Sequence, residues 1–469
     1  MRLNSILIWT GSVHRYFFLW AGLVICVLGC TADTESEPVY LDKAAMMDPA
    51  TCGECHQTHL TQWSGSMHAY ASTDPVFLAM NARGQRETNG ELGDFCVQCH
   101  APMAVRLGLT HDGLNLAELP EYVQGIGCFF CHTAEAVEGA HNAPITLADN
   151  LIMKGSYKDP VANSAHLSGY SELMDRERIE SASMCGSCHD IVTPKGVHLE
   201  RTFAEWQNSL FSHEEPDEQQ TCGNCHMAGK DDVAADYDGV FLRRTHNHMM
   251  VGVDVAITDF PETKNQLKQV KRELNKTVTS QICVTQDQQT DENVITVSLE
   301  NLAAGHSWPS GATQDRRAWV ELIAYDADGQ VLFESGVVKD DEALTDLEDP
   351  NLWRFGDKTY NEAGEEVHMF WEAASYTSEL LPAPTAHSVL DPKYIDIHRE
   401  RAFRYVGAAP ERVMLRVRIR PMGLDLLRDL VESGDLDEAH LDSMPTFNLG
   451  FSMVQWKAET GISCEPEEH

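Results

Sequence analysis

Ten of the chain's fourteen cysteines fall into five copies of one pattern, C-x-x-C-H: CGECH at 52–56, CVQCH at 96–100, CFFCH at 128–132, CGSCH at 185–189 and CGNCH at 222–226. Two thiols three residues apart lie on one side of a helical turn, where both can add to the vinyl groups of a single porphyrin. The residue that follows then sets an imidazole beneath the iron. One C-x-x-C alone would suit a redox disulfide or half a zinc site. Five copies with histidine at the same offset point to five covalent haem c groups. Attachment falls to Cys52, Cys55, Cys96, Cys99, Cys128, Cys131, Cys185, Cys188, Cys222 and Cys225, and proximal ligation to His56, His100, His132, His189 and His226.

The segment ahead of the first motif reads as an export signal. Arg2 and Arg15 carry positive charge, no acid occurs before Asp33, and 16–28 (YFFLWAGLVICVL) is an apolar core too short to span a membrane as a helix. It ends in Val27-Leu28-Gly29-Cys30, which resembles the bacterial lipobox, with Cys30 as the acylated first residue of the mature chain; ordinary cleavage nearby is the alternative. Residues 30–50 then form an acidic tether. An exported lipoprotein follows, periplasm-facing or at the cell surface, expected on the outer membrane through its lipid anchor. Beyond residue 30 there is no continuous apolar run of about 18 residues. Cys283 and Cys464, one near each end of the C-terminal part, form either a disulfide or two separate thiols.

The balance of 72 acids against 35 bases, a formal −37, repels phosphate backbones and excludes nucleic acid as a partner. It favours a basic protein partner, with association that weakens in salt.

Two regions must position this chemistry. Residues 51–260 hold every motif. Gly, Asp, Asn and Ser punctuate short helical turns there, and strand-like alternation is scarce. So little chain per porphyrin implies a mostly irregular, short-helix pentahaem domain whose core is largely the haem faces. A helical linker spans 261–279, with PETKNQLKQVKRELNKT (261–277) showing apolar residues at helical spacing. From 280 to 469 the period becomes two: VITVSLE (294–300), WVELIAY (319–325), VLFESGVV (331–338), VMLRVRIR (413–420) and FNLGFSMVQW (447–456) read as strands. Asp326-Ala327-Asp328-Gly329 is a turn and LDLLRDLVES (424–433) a short helix. The expected architecture is α+β and multidomain: signal (1–29), tether, pentahaem domain, linker, and an antiparallel, immunoglobulin-like β-sandwich.

The haem region resembles the c-554-type multihaem cytochromes. The first motif carries this best: Trp63 and His68 follow it in CGECHQTHLTQWSGSMHA, and in that family this histidine is a distal ligand to another haem. GIGCFFCH (125–132) matches the family's Gly-Val-Gly lead-in, while His141 in Gly139-Ala140-His141 and His246-x-His248 resemble further distal elements. Simpler members carry four haems, so the fifth and the β-domain are departures; larger bacterial relatives also carry a segment like GHSWPSG (305–311). A second imidazole turns an open iron into a low-spin electron-transfer centre. The candidate distal ligands are His68, His141, His166, His246 and His248. In the His-x-His pair, one member on iron and the other hydrogen-bonding is an open alternative. His111, His198 and His213 read as solvent-exposed, His59 as lying on the outside of the first haem helix, and His306 as a turn histidine, reach to the fifth haem being its alternative.

This reading describes an electron relay between redox partners, as in anaerobic respiration, with no catalytic residues assigned. The alternative is an oxidoreductase acting on a small nitrogen or sulfur compound at a five-coordinate haem. The related pentahaem nitrite reductases use C-x-x-C-K at the active iron, whereas all five motifs here end in histidine.

Overall fold

Short helices and two-stranded sheets alternate through the first half of the computed structural model, which describes residues 40–213 and 219–461. The export signal, Cys30 and the tether up to residue 39 lie outside the described residues, as does Cys464. Several helices start where the sequence supplies a cap. The Asp48 carboxylate accepts from the Ala50 amide at 2.9 Å ahead of Pro49–Gly53, and Asp74 does the same for Val76 ahead of Pro75–Glu87. Thr221 and Asn224 close a reciprocal capping box on Cys222–His226.

Four small sheets lie between these helices: Ala134–Val137 with Ile145–Leu147, Ile152–Gly155 parallel to Leu167–Tyr170, Ile191–Val192 with His198–Leu199, and Gly229–Asp232 with Arg243–His246. Each strand has at most four residues, too few for alternation to show in the sequence.

The second half is rich in strands. A three-stranded antiparallel sheet joins β1 (Val278–Asp287) and β2 (Glu292–Asn301) to a later strand, Arg399–Val406, with β2 in the centre. A larger sheet is built around β3 (Arg317–Tyr325), which pairs with β4 (Val331–Ser335), β5 (Arg354–Tyr360) and Arg412–Arg420. Ile282, Ile295, Val297 and Leu299 of the small sheet share one core with Val320, Leu322, Leu415 and Val417 of the large one. β3 is buried almost throughout rather than on alternate residues, because its other face is covered too: Trp319 packs against Val338 and Leu344, with the Arg418 guanidinium 5.1 Å from its ring centre.

Three expected elements differ in extent. The helix covers Thr263–Leu274, since Glu262 adopts a left-handed φ of 55° just after Pro261. β4 stops at Ser335 because Gly336 has φ of 68° and any Cβ there would collide with the Val320 carbonyl. FNLGFSMVQW is not one strand but two, Phe447–Asn448 and Val454–Lys457, separated by a 3-10 turn at Gly450–Ser452. Asn275 draws this turn out of the ladder, accepting from the Gly450 amide through its side chain at 3.0 Å and from the Phe451 amide through its carbonyl at 3.1 Å. Cys283 on β1 is disulfide-bonded.

The halves are not separate bodies; residues from 40 onward form one compact unit. Met249, Val251 and Val255 enter the core between the sheets. Helix Pro75–Glu87 packs Val76 and Ala79 against Leu424, Leu427 and Leu430 of helix Leu424–Glu432. A polar clamp holds the 305–311 loop to helix Thr202–Gln207: Glu205 accepts from the Ser307 amide at 3.2 Å and from the Ser310 hydroxyl at 2.8 Å, and the Gly311 amide donates to Thr202 Oγ1 at 3.0 Å. Burial pushes the Glu205 carboxyl up from 4.5 to about 7. A carboxyl raised in the folded state holds its proton longer than in the unfolded chain, so its contribution is lost as pH rises through that window. Glu205→Gln keeps the acceptor oxygen without the ionisation. Its melting temperature should match the parent's at pH 4 and exceed it progressively toward pH 7, as read by thermal denaturation across that range.

Candidate haem centre

Each attachment motif is set on a helical turn. The amides of His56, His100 and His189 bond back to the carbonyls of Cys52, Cys96 and Cys185 at 2.8, 3.3 and 3.2 Å. All ten motif cysteines, with the five motif histidines, line a single continuous cavity of about 1370 Å³. Neighbouring thiols give the order along it. Cys52 sits against Cys128, Cys99 against Cys188 and Cys222 against Cys185, while Cys131 lies near enough to Cys185 and Cys188 to feel their charge. The first motif thus adjoins the third and the third the fourth, while the second and fifth both adjoin the fourth.

Four of the five motif imidazoles are fixed through one ring nitrogen. His56 Nδ1 donates to the Ala234 carbonyl at 2.7 Å, His100 Nδ1 to Ala71 at 3.0 Å, His132 Nδ1 to Lys154 at 2.5 Å and His226 Nδ1 to Val251 at 2.7 Å. Nε2 then carries the lone pair, the arrangement a metal-bound histidine requires. Burial lowers the pKa of His56, His100, His132 and His189, which keeps the rings neutral and able to ligate.

Four of these five rings face a second imidazole at nearly constant separation. Ring centres lie 6.3 Å apart for His56 and His166, 6.3 Å for His132 and His248, 6.2 Å for His189 and His68, and 6.4 Å for His226 and His306. Two metal–nitrogen bonds of about 2 Å each, plus a ring radius at either end, span the same distance. The opposing rings are fixed likewise: His166 Nδ1 to the Leu167 carbonyl at 3.1 Å, His248 to His246 at 2.9 Å and His306 to Ser307 at 2.8 Å, while His68 Nδ1 lies 3.2 Å from Met250 Sδ. Burial lowers His68 and His306 to about 4 and His248 to about 3. The donor set therefore fits haem c.

Among the sequence-derived distal candidates, His68, His166 and His248 stand opposite motif histidines. His246 lines the cavity half-buried, with its carbonyl oriented to hold His248. His141 is exposed and outside the cavity wall; its ring lies 6.2 Å from that of His198, not opposite a motif histidine. The Gly139-Ala140-His141 signal fails to reach the cavity because the Asn142–Ala143 corner, both residues at positive φ, is tied down by the Asn142 amide on Asp190 and the Ala143 amide on Ser187. His306, read as a turn histidine, faces His226 instead. The only sequence signal for this was its loop, GHSWPSG; Trp308, buried in the sheet core, and the clamp on Glu205 carry the ring there. His59 is not on the outer surface. It lines the cavity with its ring 4.7 Å from His248, edge-on. His111 and His198 are exposed. His100 has no opposing histidine among the described residues; Phe77 stacks flat on its ring at 4.0 Å.

The lead-in glycine of the third motif also acts here. Gly125 has φ of 63°, and a Cβ on it would stand 2.6 Å from the His68 carbonyl, which accepts from the Ile126 amide at 2.9 Å. The Trp63 indole donates to the Ile126 carbonyl at 2.9 Å. Trp63, Gly125 and Ile126 thus register the segment carrying His68.

Fold and cavity together define a class, the multihaem c-type cytochromes. Residues 51–133 match the family model described as cytochrome c554 and c-prime. Among solved structures, the chain is similar to a penta-haem cytochrome c552 from Thermochromatium tepidum, with a TM-score of 0.58 and 19% identity over 87% of this chain and 97% of that one. No curated protein matches it.

Replacing His306 with alanine should add one haem equivalent of high-spin ferric signal in electron paramagnetic resonance of the oxidised protein. His141→Ala should leave the spectrum unchanged.

Proposed function

We propose that the chain carries five covalent haems and relays electrons through them between redox partners outside the cytoplasm. The observation that carries this reading is the set of four imidazole pairs, at 6.2–6.4 Å, within one continuous cavity. When bound, each haem supplies an iron that accepts and returns one electron. The chain's own part is to hold two rings in fixed orientation at four of the five sites, keep the interior dry and set the neighbour order of the motifs. Paired imidazoles suit transfer rather than bond-making, because they leave no open position on the metal.

The strand-rich half, read as an immunoglobulin-like sandwich, acts in this proposal as a lid that donates His306. The lipidated Cys30 tethers the protein at the outer membrane, and its net charge of −37 steers a basic partner. Among the described residues, no helix is long and apolar enough to cross a membrane.

A second reading rests on His100, the one motif histidine without an opposing ring among the described residues. A haem held there would keep an open axial position, where a small nitrogen or sulfur compound could bind and react. Electron paramagnetic resonance of the oxidised protein, with and without nitrite or cyanide, separates the two. The relay reading expects low-spin signals for four irons and no turnover of either ligand. A stoichiometric high-spin signal that shifts on ligand addition, accompanied by nitrite consumption with a chemical reductant, overturns a relay-only role in favour of catalysis at the His100 haem.

A further inference from the structure

The helix Thr263–Leu274 and the turn after it carry a charge opposite to that of the chain as a whole. Over 262–276 there are five bases, Lys264, Lys268, Lys271, Arg272 and Lys276, against Glu262 and Glu273, in a protein of formal charge −37. All five bases are exposed, while Gln266, Val270 and Leu274 are buried. Arg272 and Lys276 both lie against Glu273, at 3.8 and 2.8 Å. Lys264, Lys268 and Lys271 recur along one helix face and have no ion pair among the described residues. Helix stability does not account for them. Lys264 stands in the first turn, where the positive end of the helix dipole repels a cation, and like charges three or four residues apart repel one another.

This helix stands at an end of the relay. The fifth motif adjoins only the fourth, through Cys222 and Cys185. Arg272 and Lys276, both exposed, also line the cavity together with Cys225 and His226, and the charges of Glu273 and Lys276 reach Cys225. The helix therefore forms the wall between the fifth motif and the surface. It is fixed to that site as well: Asn247 Nδ2 donates to Gln269 Oε1 at 2.8 Å, in the segment whose Val251 carbonyl holds His226.

We infer that the cationic face of this helix, Lys264, Lys268 and Lys271, docks an acidic one-electron carrier protein that exchanges its electron with the fifth haem. The inference rests on the relay reading and extends it by giving one end of the relay a partner. One electron moves: the iron changes between ferric and ferrous while the carrier's own centre changes the opposite way, and no bond or proton is transferred. A carrier ringed by carboxylates is repelled by the acidic remainder of the chain and attracted here, so the charge distribution orients it onto the helix. The basic partner is drawn to that remainder and repelled from the helix. The two partners of the relay are thus kept on separate faces.

The test uses the intact haem-loaded protein, made without its lipid, with a plant-type [2Fe–2S] ferredoxin as the acidic probe and mitochondrial cytochrome c as the basic one. Carbodiimide joins lysines to carboxylates in contact, and peptide mass mapping should place the links to ferredoxin at Lys264, Lys268 and Lys271. In stopped flow, haem reduction by reduced ferredoxin should slow as salt is added, the sign of attraction between two acidic proteins. The triple variant Lys264→Glu, Lys268→Glu, Lys271→Glu should slow it by about tenfold or more at low salt. Its visible spectrum should be unchanged and its electron transfer to cytochrome c no slower. The charge-matched control Lys195→Glu, Lys339→Glu, Lys393→Glu, at exposed residues elsewhere, should slow the ferredoxin reaction far less. Links at other lysines, a rate that rises with salt, or a triple variant no slower than the control overturns the proposal. A helix that instead pairs two copies in sedimentation velocity, or holds the protein on phosphatidylglycerol vesicles, with either lost in the triple variant, also overturns it. Failure here, with haem content and spin state intact, leaves the relay reading standing. Failure of the relay appears in the ligand-sensitive high-spin signal, whatever the ferredoxin rate.

Discussion

The structure depends on one constraint: a buried imidazole must present a lone pair to the metal and therefore needs its other nitrogen hydrogen-bonded elsewhere. Backbone carbonyls meet that need here, from Ala71, Lys154, Ala234 and Val251 for motif histidines and from Leu167, His246 and Ser307 for opposing ones. Carbonyls inside helices are already committed to the helix ladder. Free acceptors come from turns, chain ends of short strands and connecting segments. The irregularity of the first half is in this sense required, since long helices would have left the rings without partners.

Much of the site was legible in the sequence because its chemistry is local. C-x-x-C-H fixes thiols and imidazole within a single turn, so motif positions carry over directly to the cavity wall. His68, His166 and His248 could also be singled out, the first and last through their resemblance to a known family. The distal set as a whole is decided by long-range geometry, which short motifs do not encode. His141 and His306 show this. The first sits in a familiar local setting but is turned outward by a tied-down corner. The second sits in a loop of another region and is carried inward by Trp308 and the clamp on Glu205. In the strand-rich half, alternation located most of the strands. Their ends were set by features that alternation cannot report, such as the collision at Gly336 and the pull of Asn275 on the 450–452 turn.

The boundary that composition draws near residue 280 is a boundary of sequence habit only. Residues 249–255 complete the core between the sheets, helix 424–432 packs on helix 75–87, and Arg86 reaches Asp435 at 2.6 Å. The penta-haem cytochrome c552 from Thermochromatium tepidum shares the fold over most of both chains at 19% identity.

The cavity also bears on how such a chain comes to exist. Its walls include every attachment cysteine. A finished fold would be a poor substrate for porphyrin addition, with its attachment positions turned into the cavity and screened from bulky reagents. Thioether formation therefore belongs to the extended nascent polypeptide, and the tertiary structure is assembled around groups already in place, as masonry is laid over centring that is never removed.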